Sequence, residues 1–97
     1  MEIDFLDKSL SLLLTPRAAE TRLPVSVISS FRKKYAVLQA ASDERTLRNW
    51  KSLHYEKLHG FKDERRSIRL NDRWRVVFTI STAIETKISI LSVEDYH

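Results

Sequence analysis

Cysteine is absent from these 97 residues. That excludes disulfides, thiolate chemistry and zinc sites built on cysteine, and it is compatible with a reducing compartment. Glycine occurs once and proline twice, so connections are short and no glycine-rich phosphate loop exists. No nucleotide cofactor, and no cofactor of any other kind, is expected. No apolar run approaches the ~20 residues that a membrane span needs. The opening Met1-Glu2-Ile3-Asp4 is acidic where a secretory leader is basic, which predicts a cytoplasmic protein. Of the histidines, His54 and His59 lack i, i+4 spacing, and no HExxH run occurs, which argues against a zinc site. No serine sits in a nucleophile elbow, and no repeat, linker or low-complexity segment interrupts the chain.

What is present suffices for one small domain over residues 1–97. Hydrophobic residues make up 42% and aromatics 9%, enough for a core. The net charge of +4 is unevenly spread: Asp43 to Arg75 holds ten Lys/Arg against six Asp/Glu, and the remainder holds seven against seven. All the excess therefore lies in the central third. Such asymmetry points to a polyanion or an acidic protein partner, and a solvated basic face is the plain alternative.

Alternation of Ile3 and Phe5 with Glu2 and Asp4 predicts a short first strand. Asp7 is a good N-cap, with Leu10, Leu13 and Leu14 behind it, so a first helix is expected from Lys8 to about Thr15. Arg17 to Arg22 reads as loop. Leu23-Pro24 opens the longest helix, where a missing N–H does no harm. Its apolar stripe is Val27/Ile28, Phe31, Tyr35 and Leu38, and it should reach Ala40 or Ala41. Ser42 is read as the cap of a third helix that buries Leu47 and Trp50.

The period then changes. Tyr55 and Lys57 alternate with Glu56 and Leu58, which predicts a strand reaching His59-Gly60, and Gly60 should take positive φ. Arg66, Ile68 and Leu70 alternate with Arg65, Ser67 and Arg69. Asn71-Asp72 suits a two-residue hairpin turn. Trp74, Val76, Phe78 and Ile80 form one face of the next strand. After a turn from Ser81 to Glu85, Lys87 to Val93 is the last strand, with Ile88 and Ile90 on one face and Ser89, Leu91 and Val93 on the other. The expected fold is α+β: an N-terminal strand and two to three helices on one face of an antiparallel sheet of four to five strands. The bare face should carry Arg65, Arg69 and Arg75, with Arg66 on the other side or at its rim.

Arg65 to Arg75 places five arginines in eleven positions, and the chain closes with Asp95-Tyr96-His97. Cleaving RNA requires orienting the 2′-hydroxyl, removing its proton, neutralising the phosphorane and protonating the leaving oxygen. Arginine binds two phosphate oxygens at once. Histidine transfers protons near neutrality, tyrosine stacks on a base or donates a proton, and Asp95 can orient an imidazole. Each also has a plainer role: His97 as a frayed end, Tyr96 in packing, Arg75 paired with Glu94 or Asp95, His59 in a turn, and His54 packed near the third helix.

At Ser67-Ile68-Arg69-Leu70-Asn71-Asp72-Arg73-Trp74-Arg75-Val76-Val77-Phe78, and again at Val93-Glu94-Asp95-Tyr96-His97, the chain resembles the HigB-type toxins of the RelE superfamily, the killer proteins of bacterial type II toxin–antitoxin modules. Motif-level likeness covers roughly the last 45 residues, and the helical half matches in layout. The resemblance implies a metal-independent endoribonuclease that cleaves mRNA in the ribosomal A site. It also implies a helix-turn-helix antitoxin, HigA-like, through which alone the toxin meets DNA. It assigns phosphate stabilisation to Arg75 and catalytic positions to Asp95, Tyr96 and His97. Arg65, Arg66, Arg69 and Arg73, with Lys57 and Lys62, are then left to grip RNA or ribosome. Two departures bear on the general base. His59 stands where the family often has lysine, and Glu56 stands where some members have a catalytic histidine, with His54 and Lys57 beside it. The base is therefore open among His97, His59, Glu56 and Lys57. Two other classes remain in view. ParE-type relatives poison gyrase without cutting RNA, but do not share the terminal Asp-Tyr-His pattern. A plain nucleic-acid-binding module would show salt-dependent binding and no cleavage.

Overall fold

A computed structural model describes residues 1–82 and 85–95. Strand β1 (Glu2–Phe5) is followed by helical segments, with α1 at Val25–Ala40 and α2 at Glu44–Asn49. Four strands complete the chain: β2 (Glu56–Lys57), β3 (Arg66–Arg69), β4 (Trp74–Ser81) and β5 (Lys87–Asp95). The sheet order is β1-β5-β4-β3-β2. From β2 to β5 every pair is antiparallel, whereas β1 lies parallel to β5. A parallel pair needs a crossover, and here the intervening helices and strands supply it. The architecture is thus the expected α+β one, with a parallel edge.

Asp7 caps as expected, its carboxylate accepting from the Ser9 N–H at 3.1 Å. Lys8–Leu14, however, winds as a 3₁₀ helix and not as an α-helix. Leu10 and Leu13 lie three apart, so at three residues per turn both face inward and bury. Ala18–Thr21, expected as loop, forms a further 3₁₀ turn. Helix α1 starts directly after Pro24 and buries Val27, Phe31 and Leu38. Phe31 and Tyr35 meet Phe5 of β1 with ring centroids 6.3 and 6.1 Å away, which seats α1 on the sheet.

Two details of α2 differ from the sequence reading. Its cap is Asp43 and not Ser42: Asp43 Oδ1 accepts from the Thr46 N–H at 3.0 Å. Carboxylate and hydroxyl compete for one job here, and the charged group also favours the helix N-terminus. Leu47 is fully buried as expected, but Trp50 is 45% exposed. The helix ends at Asn49, and Trp50 leaves the helical period in an extended conformation. Leu53, in the 3₁₀ turn Lys51–Leu53, takes the inward place.

The core joins Val27, Phe31, Leu38 and Leu47 to Ile68, Val76, Phe78, Ile88 and Ile90. Strand β5 does not alternate along its whole length. Val77 pairs with Ser92 but Phe78 pairs with Ile90, so Leu91 is an extra residue in a bulge. Beyond it the phase inverts. Val93 packs on the core beside Val76, contrary to simple alternation, and Glu94 sits opposite Arg75. The β3–β4 connection is also wider than a two-residue turn, since β3 ends at Arg69 and β4 begins at Trp74. Asn71 acts through its side chain, not through left-handed φ. Its Oδ1 accepts from the Arg73 and Trp74 N–H groups, each at 2.9 Å. Gly60 does take positive φ, at 88°.

Candidate catalytic site

Strand β2 is two residues long, not the longer strand that alternation predicted, because the chain before it curls. His54 follows the Lys51–Leu53 turn in a left-handed conformation, φ 47°, unusual for a residue with a Cβ. The face away from the core, expected bare, is covered at its centre, where Ser67, Arg75 and Val77 are buried, and this kink brings the His54 carbonyl and the Glu56 side chain to it. There they meet Arg75.

Arg75 stands on β4 directly opposite Arg69 of β3. It is only 8% exposed. Its Nε donates to Ser67 Oγ at 2.8 Å and its Nη2 to the His54 carbonyl at 2.6 Å. Glu56 Oε2 lies 3.6 Å from Nη2. A buried cation needs such partners, and these hold the guanidinium plane in one orientation. Arg69 Nη1 lies 3.2 Å from His54 Nε2. A guanidinium only donates, so Nε2 is the accepting atom of this contact. One small area thus gathers two arginines, an imidazole, a carboxylate and a serine hydroxyl. That set can bind a phosphate and move a proton at it.

The other predicted residues are distributed differently. His59, Lys57 and Arg65 line a separate hollow of about 210 Å³ with Leu58, Gly60, Phe61 and Glu64. Arg65 is turned onto the Phe61 ring, 4.4 Å from its centroid, and its Nε donates to Asp63 at 3.0 Å. Lys62 is exposed in the same loop. Asp95 pairs in register with Trp74, and its carboxylate accepts from Arg73 Nη2 at 3.0 Å. Arg73, not Arg75, is therefore the arginine beside Asp95. Tyr96 and His97 lie outside the described residues. Among the described residues no three His, Asp or Glu side chains converge as a metal site would require.

Arg66 faces the helices, as its alternation with Arg65 and Arg69 predicted. It belongs to a network that the sequence reading did not foresee. The Tyr55 hydroxyl donates to Glu44 Oε2, and Arg66 Nε donates to the same oxygen at 2.9 Å and to the Tyr55 oxygen at 3.0 Å. Burial pushes the Glu44 carboxyl up, but the Tyr55 and Arg66 hydrogen bonds outweigh it and hold it below the ordinary range. Burial first, and then the bond to Glu44, push Tyr55 from 10.0 to about 12. The folded protein therefore holds this proton more tightly than the unfolded chain does. The stability it contributes is complete below about pH 10 and is lost as pH rises through about 12. Tyr55→Phe should remove this part of the alkaline fall in stability. Urea unfolding of both proteins at several pH values in that window checks it, and parallel curves would refute it.

Ser67 was the residue missed at Arg75, and His54, named beside Glu56, enters through its backbone carbonyl. The available signal was modest: Ser67 lies two before Arg69 on the same face, and His54 lies two before Glu56. Nothing local indicated that a backbone carbonyl would bind the guanidinium.

An α+β layer with helices packed on one side of a five-stranded, mostly antiparallel sheet is the architecture of a RelE-like protein. The family model of HigB-like toxins, the RelE-like toxins of type II toxin–antitoxin system HigB, matches residues 3–97, and the chain belongs to that family. No curated protein sequence matches it. Membership in a type II toxin family implies an antitoxin partner. Among the described residues no helix is long and apolar enough to cross a membrane.

Proposed function

We propose that residues 1–97 form one toxin domain that cleaves mRNA in the ribosomal A site without a metal ion, halting translation in the cytoplasm. The observation that carries this reading is the pre-oriented Arg75 guanidinium, 8% exposed and beside Glu56 and His54. In this reading Arg75 binds the scissile phosphate and stabilises the charge that builds on it. Glu56, displaced from Arg75 by the phosphate, takes the 2′-hydroxyl proton. The 2′-oxygen attacks phosphorus, the P–O5′ bond breaks, and His97 protonates the departing 5′-oxygen. The products are a 2′,3′-cyclic phosphate and a 5′-hydroxyl. Tyr96 supports the base or the leaving group, and Asp95 orients the terminal segment through Arg73. His59 and Lys57 serve the neighbouring nucleotide, and Arg65, Arg69, Arg73 and Lys62 grip RNA or ribosome. Arg66, engaged by Glu44, supports the sheet more than it meets RNA. The cognate antitoxin is a helix-turn-helix protein of HigA type.

The test supplies purified protein to ribosomes programmed with a defined mRNA and maps the ends by primer extension. Cuts confined to the A-site codon are expected, with none on the same mRNA free of ribosomes. Intact mRNA together with broken DNA in a gyrase assay would favour a ParE-like poison instead.

A further inference from the structure

The groups around Arg75 are held from behind. Tyr55 separates His54 from Glu56, and alternation places its ring on the helix-facing side while both neighbours reach Arg75 on the other side. The ring meets Phe78 edge-on, with centroids 6.5 Å apart at 60°. Its hydroxyl is tied to Glu44, in the first turn of α2, and to Arg66 of β3. Arg48, one turn further along α2, lies 3.5 Å from the other Glu44 oxygen and 6.0 Å from the Tyr55 ring centre. A single carboxylate thus joins α2, the entry to β2 and β3.

The other anchors of this segment are the buried Leu53, the Leu58 N–H bond to the Arg65 carbonyl, and the contacts that His54 makes with Arg69 and Arg75. Strand β2 is two residues long, pairs only with β3, and forms the sheet edge. His54 is left-handed, a conformation that is strained for a residue with a Cβ and persists only where the surroundings enforce it. Released, the segment would relax, and the His54 carbonyl would leave Arg75.

We propose that Glu44, Tyr55 and Arg66 form a positioning clamp that sets the orientation of the Arg75 guanidinium from the opposite side of the sheet. None of the three touches substrate; each acts through His54 and Glu56. The catalytic consequence rests on the reading of Arg75 as the phosphate-binding group, whereas the geometric consequence does not.

Tyr55→Phe keeps the ring on Phe78 and removes only the hydroxyl. Displacing a catalytic group by a fraction of an ångström to one ångström costs about 10- to 100-fold, so Tyr55→Phe should lower the single-turnover cleavage rate about 10-fold. The ribosome concentration at half-saturation should stay within about twofold, since uniform binding is untouched. Glu44→Gln retains an oxygen that accepts from both partners and should lose less than Glu44→Ala. In ¹⁵N spectra the Arg75 Nε–H resonance should shift in Tyr55→Phe and in Glu44→Ala, and less in Glu44→Gln. A merely structural role would lower thermal stability without moving that resonance at 25 °C.

Wild-type rates with an unmoved Arg75 resonance in both Tyr55→Phe and Glu44→Ala would overturn the clamp. So would a loss carried by half-saturation and not by rate. If wild type itself leaves mRNA intact, the proposed activity fails. The spectra then decide the clamp alone, a shifted resonance supporting it and an unmoved one refuting it. Glu44→Gln serves as the folded reference should either of the other variants fail to fold.

Discussion

Arg75→Ala should lower ribosome-coupled cleavage by about 10²–10³-fold, the usual cost of removing one preorganised stabiliser of transition-state charge. It should also destabilise the fold by about 1–3 kcal/mol, because Ser67, fully buried, loses the donor to its hydroxyl oxygen and the His54 carbonyl loses its donor too. Arg75→Lys separates the two effects. A lysine keeps the charge, but a single ammonium cannot reproduce the planar fork that meets Ser67 and His54 while facing a phosphate. Its stability should fall between wild type and alanine, while its cleavage rate stays close to that of Arg75→Ala. Urea unfolding and single-turnover cleavage of all three proteins provide the check. Cleavage by Arg75→Ala at the wild-type rate would remove Arg75 from the chemistry and leave it a structural cation.

His97→Ala should cost about 10²–10⁴ in the chemical step, the span typical of a general acid or base. The signature is in the pH profile as well as the rate. A neutral imidazole cannot donate to the leaving oxygen, so wild-type cleavage should fall once alkaline pH strips that proton. The variant should lack that limb. Glu56→Gln should lower the rate of the same step, since an amide cannot take up the 2′-hydroxyl proton. If His97→Ala cuts normally with its alkaline limb intact, the proton donor lies elsewhere, with His59 next to be tested.

Several elements were legible in sequence because their cause is local. Helix α1 follows from Pro24 at its start and an apolar stripe through Val27, Phe31 and Leu38. Strands β3 and β4 follow from strict alternation, which also placed Arg69 and Arg75 on one face and Arg66 on the other. Gly60 was readable as a positive-φ position from its type alone. Where the reading departed from the structure, two local options were close in energy. Lys8–Leu14 could wind either way, and packing of Leu10 and Leu13 selected 3₁₀. Ser42 and Asp43 are both cap residues, and the chain used the acid. The Leu91 bulge left no mark in composition, yet it reversed the sides of Val93, Glu94 and Asp95.

The candidate site divides along the same line. Residue types and the order of the hairpin placed Arg69 and Arg75 on one face, since that depends on a period of two along each strand, whereas the choice of Arg75 among the arginines came from the family resemblance. Which atoms surround Arg75 was settled only in three dimensions. The His54 carbonyl lies 21 residues away in sequence, and it reaches the guanidinium because a left-handed kink turns it there. Glu44 lies 22 residues from Arg66 and steadies the same segment from another layer. Such contacts depend on register, on one bulge and on the seating of α2. These are set by how the whole core packs, so no local pattern records them.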